Sequence, residues 1–402
     1  MAEYYCPESA KVPHGLGYSL AVAVTNPETS KTESLILKDC GITCNHGLLG
    51  EYSNTLFVVI TVVGIISVLI MFAAIISHLF KTTKSHSFYP EKAIFYLLIC
   101  YFFISLVIVI SNFYEHQSVC QNSNKDNEIF RIQRHNKVQC TLVHSFLIYF
   151  FIASQMWWLV YAVSTYMLSK PNWCAETVSR QYKIFHSFAW IVPCIFTFIT
   201  LLFEYINADI SSGLCFISSQ DTKQLYGFFV FPLIFSLLFG EILIIIGLTN
   251  FVRTKKILIE GEKNDAENDY GEDGAELFDQ VKSMNSYLIR IGVFSLIHFI
   301  VSTTLLASVI YESKSISHWH SVWLETHCKT NSDSSCSNLK FALKTEEKTA
   351  KEIFIISLIK LGSWHVVGLS GMVWITTKTT KRKWKALIVS PVSYFSSSPV
   401  NE

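Results

Sequence analysis

Seven stretches of this chain are apolar almost throughout, and the polar residues gather between them. A helix needs about 20 mostly apolar residues to cross a hydrocarbon core of roughly 30 Å. Runs of that length lie at approximately 55 to 80, 92 to 112, 141 to 168, 184 to 204, 225 to 251, 287 to 311 and 352 to 377. They predict an all-α membrane protein in three parts. A cysteine-bearing segment over 1–54 precedes a seven-transmembrane helix bundle over 55–377, and a tail over 378–402 follows it. Before the first span the only apolar stretch is Leu16 to Val24, too short and weak for a secretory leader. The first span is then expected to act as the targeting signal, unless a leader precedes Met1.

Composition agrees with this pattern. Half of the 402 residues are apolar and 16% are charged, which is too greasy for a soluble chain of this size and fits a membrane protein with sizeable loops. A formal net charge of +1 leaves no general basic surface for nucleic acid. With the N-terminus outside, 16 of the 32 basic residues fall on the inner side and 14 outside, mostly in longer loops where charge counts for less. Cysteines weigh more heavily. Cys6, Cys40, Cys44, Cys120, Cys140, Cys215, Cys328 and Cys336 all fall on the proposed outer side. Cys100 and Cys194 lie within spans, and Cys174 lies in an inner loop. An even external set is what an extracellular disulfide framework leaves, the alternative being that several are free buried thiols. The charge count favours the N-terminus outside and the C-terminus in the cytoplasm only slightly and the cysteines favour it more firmly; the expected location is the plasma membrane.

Two segments stand apart. The third inner loop, about Val252 to Ser286, contains the acidic, glycine-broken stretch GEKNDAENDYGEDGAE and is expected to be a solvated linker. The tail opens with KTTKRKWKAL, where basic residues surround Trp384, and suits an interfacial helix with Trp at the headgroups and Lys and Arg facing anionic lipid. Within the spans, Glu241, Arg290, His298 and Lys360 are functional candidates, because a charged group there costs about 2.5 to 3.5 kcal/mol on insertion scales. Glu241, His298 and Lys360 are expected either to form a polar network between the fifth, sixth and seventh spans or to be satisfied singly by carbonyls or water. Paired catalytic carboxylates, a Ser/His arrangement and HExxH are all missing, so no catalytic residue, cofactor or metal is expected. A transporter would show internal repeats or spans broken by Gly and Pro. Pro193 and Pro232 are isolated and no repeat is visible.

From Cys40 to Trp384 the chain resembles the Frizzled and Smoothened receptor class through a series of landmarks in order. They are KDCGITC before the first span, YPEK at Tyr89 to Lys92, and CTLVHSFLIYFFIASQMWW opening the third span and ending on Trp157 and Trp158. Trp173, Glu176, FHSFAW, the Val192 and Pro193 pair, SGLC at Ser212 to Cys215, RIGVFS, YE, HW, WL and CK follow. The third outer loop, Tyr311 to Lys329, and Lys360 look more like Frizzled than Smoothened.

The resemblance implies a signalling receptor that relays an extracellular event to a Dishevelled-type adaptor or a heterotrimeric G protein, in the Wnt pathway. A Smoothened-like Hedgehog transducer and a truncated modulator of a full-length receptor are the alternatives. It further implies the disulfides Cys6–Cys40, Cys44–Cys120, Cys140–Cys215 and Cys328–Cys336, the last supported also by proximity. Arg290 and Trp374 match class positions held to form a cation–π contact between the inner ends of the sixth and seventh spans. The alternative for them is snorkelling of Arg290 and interfacial anchoring of Trp374. Frizzleds carry a Lys-Thr-x-x-x-Trp motif implicated in Dishevelled binding. Here Trp384 and Thr380 fit it, while Thr379 holds the Lys position and Lys378 stands one residue early. Ser357 stands where Smoothened has an acidic residue, which argues against a Smoothened-type sterol network, although a membrane lipid or sterol partner stays open. Only 39 residues precede Cys40, so the chain contains no cysteine-rich Wnt-capturing domain. Either it is part of a longer receptor, or it works without high-affinity Wnt capture.

Overall fold

The computed structural model describes residues 6–7, 10–11, 19–25, 32–42, 48–82, 89–113, 120–122, 129–131, 138–170, 173–209, 213–217, 222–265, 273–330 and 346–371. Seven long helices carry the predicted spans: α1 (Tyr52–Thr82), α2 (Glu91–Phe113), α3 (Val138–Leu168), α4 (Tyr182–Leu202), α5 (Phe231–Asp265), α6 (Asp273–Thr330) and α7 (Glu346–Ser370). Each contains a stretch long and apolar enough to cross a membrane. Helix is what the medium demands, since backbone N–H and C=O groups in hydrocarbon have no water to bond and must pair within the segment. A short helix, Ala175–Arg180, leads into α4, and a π turn at Tyr226–Val230 leads into α5 just before Pro232. Proline lacks the N–H that an α-helical ladder needs, and a change of helical register beside it is a common accommodation.

Helices α1, α5 and α6 run beyond the predicted spans. α6 has 58 residues, about 87 Å at 1.5 Å per residue, nearly three times the thickness of the hydrocarbon core. Its last turns continue past Tyr311 as a rod outside the membrane layer. At the other end, α5 persists to Asp265 and α6 begins at Asp273, so the acidic stretch expected to be a linker is helical on both flanks. Its Glu, Lys and Ala residues are good helix formers, and the exposed pair Lys256–Glu260, 3.6 Å apart one turn along, adds modest support.

Among the described residues, three antiparallel two-stranded sheets lie in the connections at one end of the bundle: β1 (Ser19–Thr25) with β2 (Thr32–Lys38), β3 (Cys120–Asn122) with β4 (Ile129–Arg131), and β5 (Asn207–Ala208) with β6 (Cys215–Phe216). The β1–β2 hairpin buries Leu20, Val22 and Leu37 and rests on the extension of α6. There the Ala23 N–H donates to Ser321 Oγ at 2.6 Å, and His320 Nδ1 lies 2.7 Å from the Ala21 carbonyl oxygen. Helix side chains thus cover a strand edge that would otherwise present unpaired groups. Cys6–Cys40 closes the base of the hairpin and Cys140–Cys215 ties the start of α3 to β6, with Cα separations of 5.5 and 5.2 Å. Cys328 is disulfide-bonded, but Cys44 and Cys336 lie outside the described residues, as does the interfacial helix expected over 378–402. Cys100, Cys174 and Cys194 are free thiols.

α3 is the axis of the bundle. In its most apolar window 78% of residues are buried, against 22% in α4 and 33% in α1, which lie at the periphery. Trp157 and Trp158 are both fully buried. The Trp158 indole stacks on the His298 ring of α6, with centroids 3.5 Å apart and planes at 10°. On α5 the absence of a side chain at Gly240 makes room for that indole, because a Cβ there would overlap the indole nitrogen. Gly240→Ala is therefore expected to lower stability by about 1–3 kcal/mol through overpacking, read as a lower thermal midpoint in detergent. Gly292→Ala, where nothing lies within 4 Å of the added carbon, should leave the midpoint unchanged or slightly raised.

Candidate functional site

Lys360 sits on α7 inside the bundle, towards the disulfide-bearing end. Its Nζ is 2.7 Å from Asp209 Oδ2 and 2.7 Å from Glu312 Oε2. All three are almost wholly withdrawn from solvent, with side-chain exposures of 12% for Lys360, 5% for Asp209 and 1% for Glu312. Each comes from a different element. Glu312 projects from α6 just beyond the predicted end of its span. Asp209 follows β5, in a hairpin whose return strand β6 is held to α3 by Cys140–Cys215. The hairpin closes through Asp209 itself, whose N–H donates to the Leu214 carbonyl at 2.8 Å.

The trio closes one end of a cavity with about 490 Å³ of empty space, part of it open. The other walls are apolar, among them Ile108, Leu147, Phe216, Phe229 and Trp364. Phe229 and Trp364 stack with centroids 6.1 Å apart, and Phe216 meets both edge-on at 5.5 and 5.8 Å. A charged cluster facing an aromatic chamber is suited to hold the β5–β6 hairpin, α6 and α7 in one arrangement and to respond when any of them moves.

Polar side chains stitch the remaining helices at other depths. Ser105 Oγ and His365 Nδ1 are 2.9 Å apart between α2 and α7, and Ser236 Oγ donates to Gln155 Oε1 at 2.6 Å between α5 and α3. At the end opposite the disulfides, Asn250 donates to Ser169 Oγ at 3.2 Å and Lys255 donates to Asn285 Oδ1 at 2.6 Å.

The sequence-derived candidates separate in space. Lys360 bonds Asp209 and Glu312, and among the described residues no hydrogen bond joins it to Glu241 or His298. Glu241 Oε1 and both ring nitrogens of His298 have no hydrogen-bond partner among the described residues. His298 is held by its stack on Trp158. Among the described residues no hydrogen bond links the three candidates to one another, and Lys360 lies nearer the disulfide-bearing end, where Asp209 and Glu312 are within reach. Arg290 is half-buried on α6 at the opposite end. Trp374, Lys378, Thr380 and Trp384 lie outside the described residues. Asp209 and Glu312 were missed in the sequence. The available signal was Lys360 itself, since an ammonium within a span calls for a carboxylate near a neighbouring span's end.

Lys360→Met would leave two carboxylates buried without their ammonium. A loss of about 3–5 kcal/mol is expected, measured by thermal unfolding in detergent. Adding Asp209→Asn and Glu312→Gln to that variant should restore much of the loss, since the uncompensated charge goes with them. A single variant as stable as the parent would mean that the trio contributes nothing to holding the bundle.

Residues 51–391 match the Frizzled/Smoothened family membrane region. The chain is 27% identical to mouse Frizzled-10 over 321 residues, which is 79% of this chain and 51% of that protein. It is 24% identical to Frizzled-3 of Xenopus laevis over 386 residues, 95% of this chain and 52% of that protein. The chain thus spans about half the length of these curated relatives. A crystal structure of squid rhodopsin aligns at 14% identity over 87% of each chain, with a TM-score of 0.48. With the matched region covering most of its length and all seven spanning helices in place, the chain belongs to the Frizzled/Smoothened family as a multi-pass membrane protein.

Proposed function

We propose that this protein is a Frizzled-like signalling receptor of the plasma membrane in the Wnt pathway. Its disulfide-bearing end faces outside, and it passes an extracellular event to a Dishevelled-type adaptor or a heterotrimeric G protein. The observation that carries this reading is the unbroken course of α6. One helix runs from the β1–β2 hairpin, where Ser321 and His320 bond its backbone, past Glu312 in the ion trio, to Arg290 at the opposite end. A rigid element touching both faces of the membrane moves at one end when it is shifted at the other, and packed helix interfaces resolve such a shift into discrete states. Disulfides on the hairpin side support its placement outside. The switch is the pairing of Arg290 with Trp374, and the effector contact is the segment holding Lys378, Thr380 and Trp384.

A cation–π pair contributes about 0.5 to 2 kcal/mol, so its loss shifts a two-state equilibrium roughly two- to thirtyfold. Trp374→Leu should raise basal signalling severalfold in cells lacking other Frizzled-type receptors, at matched surface expression and with a Dishevelled-recruitment readout. Unchanged or lower basal output would sink the switch assignment. Trp384→Ala should abolish recruitment in the same cells, and retained recruitment would remove the adaptor from the proposal.

A further inference from the structure

At the end opposite the disulfides, α2 and α4 display two parallel columns of side chains across a groove floored by α3. On α2, Lys92 lies one turn from Tyr96. On α4, Lys183, His186 and Trp190 follow at helical spacing along one face. The columns meet. Tyr96 stacks on the buried Trp157 of α3 at 4.4 Å and meets the His186 ring edge-on at 4.8 Å, while Trp190 lies 5.5 Å from Trp157 and 6.1 Å from Tyr96. The Trp190 indole donates to His186 Nδ1 at 3.3 Å, which leaves His186 Nε2–H as a donor. Lys92 is close enough to act electrostatically on His186. Its neighbour Glu91 acts on Tyr287 of α6.

Three properties of this groove point to an occupant. First, among the described residues neither Lys92 nor Lys183 has a carboxylate within ion-pair distance, and the Lys92 ammonium lies 6.0 Å from the centroid of the Tyr89 ring. Second, Tyr96, His186 and Trp190 are half-buried, so their rings remain partly open on the peripheral side of the bundle, where α4 is the least buried helix. Third, the charges sit at the helix ends while the rings continue into the apolar span. A soluble anion would find only the lysines, and a neutral lipid only the rings. A molecule with an anionic head and acyl chains meets both. Basic pockets between spanning helices are a recurrent way of holding such headgroups, and aromatic rings beside them suit the interfacial layer.

We propose that the α2–α4 groove is a binding site for an anionic phospholipid, its headgroup phosphate between Lys92 and Lys183 and its glycerol and upper acyl chains against Tyr96 and Trp190. A phosphomonoester headgroup, with its second negative charge, binds best.

The test places the full chain in phosphatidylcholine nanodiscs doped with phosphatidic acid, phosphatidylserine or cholesterol, and counts retained lipid by native mass spectrometry after transfer to detergent. Phosphatidic acid should be retained above phosphatidylserine, with cholesterol and phosphatidylcholine lost. Soluble glycerol phosphate should not displace it. Lys92→Gln and Lys183→Gln should each reduce retention about fivefold, and together about thirtyfold. Arg253→Gln with Lys256→Gln, exposed basic positions at the same end, should leave it unchanged. Circular dichroism and the thermal midpoint in plain phosphatidylcholine verify that the variants fold. Equal retention by the double lysine variant, an equal loss in the Arg253 and Lys256 control, or retention of cholesterol at or above the level of phosphatidic acid would each overturn the proposal.

Discussion

A lysine ammonium carried inside a membrane bundle must be given counter-charges by the protein, because hydrocarbon supplies none. Much of the disulfide-bearing half of the bundle follows from how Lys360 meets that demand. Asp209 reaches it only because the β5–β6 hairpin folds down over the bundle, and Cys140–Cys215 holds that hairpin to α3. Glu312 reaches it only because α6 does not stop at the membrane boundary. One buried charge thereby fixes the relation of a connecting hairpin and two spanning helices. Such a cluster is weak evidence for high stability, since desolvating three ionised groups offsets most of their attraction. Its consequence is specificity: an arrangement that separates the three leaves charges buried without partners.

The rest of the bundle turns on α3. Its long buried run, centred on Trp157 and Trp158, gives every neighbour a common wall, and small residues decide how closely neighbours approach. Gly240 admits the Trp158 indole, and Gly64 lets α1 lie against the His365 ring. The stack of Trp158 on His298 is an unusual joint, since the imidazole nitrogens find no hydrogen-bond partner among the described residues and the ring is held by its face alone. A helix held there by stacking and farther along by an ion cluster has two points of attachment of different chemistry. Packing and counter-charge therefore act on α6 at separate levels.

Polar groups elsewhere follow the depth of the site. Near the disulfide-bearing end they are ions in mutual contact, in the interior hydroxyls, amides and imidazoles bonded between helices, and at the far end lysines beside aromatic rings. Lys92 and Lys183 contrast with Lys360. They carry the same charge at a level where headgroups can solvate it, and they need no protein carboxylate. The same residue type is thus pinned by carboxylates in one place and has no carboxylate partner among the described residues in another.

The seven spans, the alternation of apolar runs with polar connections and the membership of Cys6, Cys40, Cys140 and Cys215 in a disulfide framework were all readable from the chain. Each rests on a constraint that acts locally or along one segment: hydrocarbon thickness, backbone satisfaction or redox compartment. Family resemblance supplied the pairings Cys6–Cys40 and Cys140–Cys215, which the fold contains. Helical extension into the acidic stretch was not readable, because low hydropathy marks solvation and is equally compatible with an exposed helix. Nor were the partners of Lys360. The chain shows that an ammonium lies within a span, which requires a counter-charge, but Asp209 is 151 residues away and Glu312 is 48. Which of the 31 acidic residues answers that requirement depends on helix order, helix overrun and the fold of one hairpin. Those are properties of packing in three dimensions, and only the tertiary structure decides them.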